Sequence, residues 1–270
     1  MSRDGDSPLR TLLVATLVAL GCSALVATAV QLLRPVQDAW ALLERNRAIV
    51  AAAGADAADM SEREVISAYL DLDVHLVDLD AAAPAPAAAV GDVRSYDHWA
   101  LGDEADSALL RQARAGLPGP PPYARYVPIY LVLQDGRLQR AVLPFHGPGM
   151  WSTLYGYLAL QADLNHVASL VIYRHGETPG IGDRIEDPGW LASWHGKRVY
   201  DAQGQVRLDV TRSPSAPDYD VDIISGASIT SNALGEAIRA WLGPQGYGPL
   251  LARWRRGELA TELPGGGTES

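Results

Sequence analysis

Tyr126-Val-Pro-Ile-Tyr-Leu-Val-Leu-Gln134, then Asp135-Gly136, then Arg137-Leu-Gln-Arg-Ala-Val-Leu-Pro-Phe145 read in succession as a strand, a tight turn and a returning strand. The first run is rich in β-branched and aromatic residues. Asp-Gly suits the two positive-φ positions of a two-residue hairpin loop. Working outward, Gly156–Ala162 and Val167–His175 are further strand candidates, and Lys197–Tyr200 with Val206–Val210 flank Gln203-Gly204 as a second hairpin. Upstream, Pro35–Gly54 carries Ala39, Leu42, Leu43 and Ile49 at helical spacing. Ser61–Leu70 opens with Ser61 and Glu64 at capping-box spacing. A short helix is expected at Pro188–Trp194, and the Ala/Pro-rich stretch Asp80–Val90 reads as a loop. Hairpins are mixed with helices, there is no internal repeat, and regular strand–helix–strand alternation is absent. The pattern is α+β, a twisted, mainly antiparallel sheet with flanking helices.

Ahead of this region, Thr11–Leu33 carries no charged residue, and Gln31 is its only strongly polar side chain. As a helix it would extend roughly 34 Å, enough to cross a hydrocarbon core of about 30 Å. The run is longer than the apolar core of a cleaved signal peptide, so it reads as a retained transmembrane helix. Gly21, Ser23, Ala24 and Ala27 could admit a neighbouring helix, and Cys22 reads as a packed thiol. Arg3 and Arg10 precede the span, and Arg34, Arg45 and Arg47 follow it, so flanking charge does not decide the orientation. The net charge of −10 argues against a nucleic-acid partner. With Cys22 as the only cysteine, the chain cannot form an internal disulfide, a CxxC motif or an all-cysteine iron–sulfur site.

The chemistry concentrates in Tyr219-Asp-Val-Asp-Ile-Ile-Ser-Gly-Ala-Ser-Ile-Thr-Ser231. Val221, Ile223 and Ile224 can form a short buried strand, and Gly226 permits a tight turn. A helix then runs to about Leu242, with Leu234, Ile238 and Trp241 on one face. Ser228, Thr230 and Ser231 cluster at its start. A helix N-terminus favours a phosphate, and a hydroxyl there can carry one as an ester. On spacing alone, the same hydroxyls read rather as helix caps, because Ser is a preferred cap.

Asp222-Ile-Ile-Ser225-Gly226-Ala227-Ser228 resembles the D-x-x-[ST]-G-A-[TS] flavinylation motif of FMN-binding domains. These occur in the C subunit (NqrC) of the sodium-translocating NADH:quinone reductase and in the G subunit of its Rnf relatives. Further segments resemble NqrC. They are Gly147-Pro-Gly-Met-Trp-Ser-Thr-Leu-Tyr-Gly-Tyr-Leu-Ala159, Gly176-Glu-Thr-Pro-Gly-Ile-Gly182, Asp187-Pro-x-Trp190, Trp194-x-Gly196-Lys197, Arg45-x-Arg47 with the run to Gly54, and Leu76–Asp80.

The resemblance implies FMN held covalently through a phosphoester that a flavin transferase makes from FAD. By the motif, the acceptor is Ser228, where the family usually has Thr, and Thr230 is the alternative acceptor. Ser225, Gly226, Ala227, Asp222, Glu177, Thr178, Gly180, Trp151 and Lys197 are the further cofactor-binding candidates, with Tyr155 and Tyr157 as flavin walls or ordinary core. No catalytic residue and no metal ligand is expected.

The implied organisation is a tail at 1–10, a transmembrane helix at 11–33, a helical and loop connecting region at 34–125, an FMN-binding domain at 126–255 and a disordered tail at 256–270. The implied function is electron transfer within a sodium-pumping NADH:ubiquinone reductase. Its FMN would pass electrons between a membrane iron–sulfur centre and the FMN of the B subunit. The implied partners are the A, B, D, E and F subunits and the flavin transferase. The implied location is the bacterial inner membrane, with a single span and the soluble domain on the periplasmic side. The alternatives are an Rnf-type G subunit and a cofactor-free, membrane-tethered assembly module. No HExxH pairing, Rossmann fingerprint, P-loop or GxSxG elbow is present.

Overall fold

The computed structural model describes residues 8–101, 109–111 and 123–264. The two helices expected at 11–33 and 35–54 are one helix, α1 (Pro8–Ala53), which runs through Pro35. The chain divides after Glu44 into two compact units. The first unit is the apolar part of α1, whose most apolar window has a mean hydropathy of 2.3. Among the described residues it is the one helix long and apolar enough to cross a membrane.

The second unit, from Arg45 onward, is built on a six-stranded antiparallel sheet. Its elements are β1 (Asp73–Asp78), β2 (Ala83–Ala85), β3 (Leu110–Arg111), β4 (Tyr123–Ala124), β5 (Tyr126–Gln134), β6 (Arg137–Pro148), β7 (Thr153–Gln161) and β8 (Val167–Arg174). The strand order is β2-β1-β5-β6-β7-β8, and β3 pairs with β4 separately. The β5–β6 hairpin closes as read, with Gln134 opposite Arg137 and with Asp135 and Gly136 at φ of 51° and 74°. Period-2 alternation fills both faces of the sheet. Ile129, Leu131, Leu143, Phe145 and Leu158 face one core. Tyr130, Val142, Tyr157, Ala159 and Ala168 face the other, together with Ala48, Ile49, Val50 and Ala52 from the last turns of α1. Tyr69 of α2 (Glu62–Leu70) joins this second core. The helix begins with the expected capping box: Ser61 N donates to Glu64 Oε2 at 2.7 Å, and Glu64 N donates to Ser61 Oγ at 3.4 Å.

Several expectations are corrected here. Asp80–Val90 is not all loop, because β2 adds to the edge beside β1. An edge strand tolerates the missing N–H of Pro84. No boundary falls at 125/126, since β1 pairs with β5 from Asp73↔Leu131 to Asp78↔Tyr126. The expected hairpin around Gln203-Gly204 shrinks to a single bridge, Tyr200↔Val206. There the Asp201 carboxylate accepts from Gln203 N and Gln205 N. The chain then leaves to form β9 (Asp209–Thr211), which pairs in parallel with β10 (Asp220–Asp222). The tail does not begin at 256, because Leu259 and Leu263 are each 1% exposed. Residues 1–7 and 265–270 of the two expected tails lie outside the described residues.

The short helix α3 (Pro188–Ala192) forms where expected, capped by Asp187. The turn and helix at the motif form as read, with α4 (Ser228–Leu242) packed on β6, but the strand before them is only β10 and leaves out Ile223 and Ile224. Trp241 Nε1 donates to His146 O at 2.6 Å and ties the helix end to that strand. A helix absent from the sequence reading, α5 (Gly248–Arg255), follows and buries Leu250, Leu251 and Trp254.

Candidate functional site

Three segments converge on the first turn of α4. The connection from β6 to β7 brings Met150 and Trp151, the loop after β8 brings Glu177, Thr178, Ile181 and Gly182, and the motif brings Gly226 to Thr230. They line an open cleft of about 260 Å³. Its rim is unusually apolar for exposed surface: Trp151 is 69% exposed, Ile229 60%, Ile181 53% and Met150 47%. Large exposed apolar groups gathered at one place mark a binding surface more than scattered ones do.

The polar centre of the site is Glu177, 5% exposed. Its Oε1 accepts from Trp151 N at 2.9 Å and Ser152 N at 3.2 Å, and its Oε2 accepts from Met150 N at 3.2 Å. Thr230 Oγ1 donates to Oε2 at 2.7 Å. Burial pushes the carboxyl pKa up, but the Thr230 hydroxyl and the three N–H groups outweigh it and hold the pKa below the ordinary value. The carboxylate therefore joins all three segments. Close packing supports the tie: a Cβ on Gly182 would lie 2.8 Å from Glu177 Cβ and 3.3 Å from Thr230 Oγ1. The loop itself is held by Gly176 N, which donates to Ser152 Oγ at 2.6 Å, and by Glu177 N, which donates to His175 Nδ1 at 3.1 Å.

The hydroxyls at the start of α4 have separate fates. The N-cap is Ala227, which makes no side-chain cap. Ser231 Oγ donates to Ala227 O at 2.9 Å and is fully buried. Thr230, 2% exposed, is committed to Glu177. Ser228 is the first helical residue, lines the cleft and is part-exposed. Its hydroxyl does not cap the helix, and Arg212 Nη2 lies 3.5 Å from it. The motif turn is pinned from outside: Arg184 Nη1 donates to Ser225 O at 2.7 Å, and Trp190 Nε1 donates to Asp222 O at 2.7 Å. Gly226 takes a φ of 86° in that turn, a conformation that favours glycine.

Of the sequence candidates, Trp151, Glu177, Thr178, Gly226, Ala227, Ser228 and Thr230 meet in the cleft. Gly180, Ser225, Asp222 and Lys197 are not among its lining residues. Asp222 is exposed, and it engages the turn through its carbonyl oxygen. Gly180, at a φ of 76°, turns the loop. Lys197 Nζ donates to Pro217 O at 2.6 Å. Tyr157 is fully buried among Trp99, Tyr130 and Tyr173. Tyr155 packs on Trp99 and His146, so both tyrosines follow the ordinary-core reading. Met150, Ile181, Ile229, Arg184 and Arg212 were not singled out in the sequence. Their apolar or charged character is commonplace, and only the folded chain brings them to the motif. Among the described residues no cluster of His, Cys, Asp and Glu could hold a metal ion.

The cleft suits a flavin mononucleotide. Its volume lies just below the usual range of about 300–1,000 Å³, which fits one ring system with an exposed edge. The apolar rim can flank such a ring, and the Ser228 hydroxyl stands at a helix start where a phosphate is favoured.

Comparison with known proteins agrees with this geometry. Residues 149–243 match the FMN-binding domain family. The C subunit of the Na(+)-translocating NADH-quinone reductase of Pseudomonas aeruginosa is 37% identical over 259 residues, which cover 94% of this chain and 98% of that protein. The corresponding protein of Pasteurella multocida is 37% identical, covering 96% of this chain and 99% of its own. That of Vibrio alginolyticus is 33% identical, covering 96% of this chain and 100% of its own. The crystal structure of Shewanella oneidensis NqrC superposes with a TM-score of 0.70 at 27% identity, over 80% of this chain and 98% of that one. With relatives this similar over nearly its whole length, the chain belongs to the NqrC family, the C subunits of the Na(+)-translocating NADH-quinone reductase.

Proposed function

We propose that the chain carries FMN covalently on Ser228 and serves as the flavin-bearing electron-transfer subunit of a membrane NADH:quinone reductase. The observation that supports this best is the state of the three clustered hydroxyls. Ser231 and Thr230 are buried and hydrogen-bonded, whereas Ser228 is part-exposed in the cleft and is not used as a cap. In the attachment step the Ser228 Oγ–phosphorus bond forms and the phosphoanhydride bond of FAD breaks. AMP departs and the hydroxyl proton is released. A flavin transferase performs this step. Serine in place of threonine leaves the chemistry intact, since both present one hydroxyl.

When bound, FMN would supply one- and two-electron redox chemistry. The residues of this chain hold and position it. Trp151, Met150, Ile181 and Ile229 would flank the ring, and the N–H groups of the first turn of α4 would face the phosphate. Thr178, which lines the same cleft, would reach the flavin. Glu177 acts at one remove, because its carboxylate is spent on holding the three segments together.

By its family, the protein would pass electrons between a membrane iron–sulfur centre and the FMN of the B subunit, in contact with the A, D, E and F subunits. Its soluble domain would stand on the periplasmic side, where the transferase works, and α1 would anchor it as a single span. By its family, NADH would bind elsewhere in the complex.

The test is peptide mass spectrometry of the full chain co-produced with a flavin transferase. An FMN mass on the peptide containing Ser228, lost in Ser228→Ala, supports the assignment. A colourless protein with that peptide unmodified refutes it, and so does an adduct that survives Ser228→Ala.

A further inference from the structure

We infer that Arg212 is the counter-ion of the phosphodiester on Ser228; this rests on the attachment reading above. Arg212 directly follows β9, whose parallel register sets Thr211 opposite Asp222. Ile223 N then donates to Thr211 O at 3.1 Å, so the approach to the motif turn runs beside Arg212. The helix is fixed to the same strand. A Cβ on Gly235 of α4 would lie 2.6 Å from Val210 Cγ2, so only glycine lets the helix seat this closely on β9. The start of α4 and the base of Arg212 are thus parts of one packed assembly.

The guanidinium is placed accordingly, with Arg212 Nη2 3.5 Å from Ser228 Oγ. To a neutral hydroxyl this is a weak contact at the limit of hydrogen-bond length. Once that oxygen is esterified, phosphorus is bonded to it and the non-bridging phosphate oxygens stand two bonds beyond it, within reach of the guanidinium. Arginine binds such oxygens with two parallel N–H groups. Arg184 Nη1 is turned to Ser225 O and Lys197 Nζ to Pro217 O, whereas Arg212 is the cation that reaches the Ser228 hydroxyl. A chain with a net charge of −10 gains from a local cation where an anion must be installed and kept. Arg212 is exposed, so water and salt moderate the interaction.

The test uses the full chain in detergent with a purified flavin transferase and FAD, comparing wild type, Arg212→Ala and Arg212→Lys. Readouts are the rate of adduct formation at limiting transferase and the 31P chemical shift of the attached diester. Arg212→Ala is expected to slow attachment about threefold to tenfold and to displace the 31P resonance, with an unchanged melting temperature. Arg212→Lys is expected to recover most of the rate, and the wild-type rate to fall with ionic strength more steeply than that of Arg212→Ala. Wild-type attachment rate and an unmoved 31P resonance in Arg212→Ala would overturn the proposal while leaving the Ser228 adduct standing. A lysine variant as slow as the alanine variant would overturn it too, because charge would then not be what the site uses. A wild-type adduct on Thr230 overturns the attachment reading and this proposal together.

Discussion

Glu177→Gln isolates the tie that assembles the cleft. The side chain keeps its shape but loses its charge and one acceptor oxygen. In the better of its two orientations the amide oxygen takes the Oε1 position and still accepts from Trp151 N and Ser152 N. The NH2 group then faces Met150 N, which loses its acceptor, and Thr230 Oγ1, which must reverse its role. One part-buried donor left unpaired costs toward the low end of about 1–3 kcal/mol, and the two surviving bonds lose charge assistance. The sum is about 2–3 kcal/mol, or a drop in melting temperature of roughly 4–12 °C for a domain of this size.

The pH dependence carries a second signature. The folded-state pKa of Glu177 is depressed, so its stabilising contribution is present above the unfolded carboxyl pKa and is lost as pH falls through the folded value. Thermal unfolding of the full chain in detergent, followed by tryptophan fluorescence from pH 7 downward, should show the gap between wild type and variant narrowing below about pH 4.3. Combining the change with Thr230→Val should give a coupling of about 1–2 kcal/mol. A variant that melts with the wild type at pH 7, or a gap that is constant with pH, would refute the ionised tie.

The remaining predictions concern other parts of the same frame. Gly182→Ala places a Cβ 2.8 Å from Glu177 Cβ and should cost about 1–3 kcal/mol, read from denaturant midpoints at constant slope. Ser61→Ala removes the cap of α2 and should cost about 1 kcal/mol, with near-wild-type flavin content. His146 is buried enough that its pKa is pushed down to about 4, and its Nδ1 has no hydrogen-bond partner among the described residues. The unfolded chain therefore binds a proton between about pH 6.5 and 4 that the folded one does not, and stability falls across that window as pH is lowered. His146→Phe should flatten that slope by up to about 3 kcal/mol in pH-dependent melts, and an unchanged slope would show that the imidazole titrates freely in the fold.

The β5–β6 hairpin and the turn and helix at the motif were legible because both rest on local signals. One is an Asp-Gly turn between β-rich runs, and the other is Leu234, Ile238 and Trp241 at helical spacing. The fate of the motif hydroxyls was not legible. Whether Thr230 or Ser228 is free depends on Glu177, distant in the sequence and brought in by the sheet. Lys197 stood among the cofactor-binding candidates, but its side chain is turned to the Pro217 carbonyl. Arg212 gave no signal, since its place depends on the parallel pairing of two three-residue strands. Helix α5 was hidden by Gly246, Gly248 and Pro249. Those residues read as a turn, yet Pro249 sits in the first turn of α5, where its missing N–H does no harm. The edge strand β2 was hidden in the same way by Pro84.

Every functional step proposed for this chain depends on FMN being esterified to Ser228. The direct measurement is fragmentation mass spectrometry of the peptide spanning Ser225 to Ser231, from the full chain produced with a flavin transferase. An FMN-phosphoryl mass localised to Ser228 is expected, absent in Ser228→Ala and retained in Thr230→Ala. An adduct localised to Thr230, or an unmodified peptide in the wild-type chain, would contradict it.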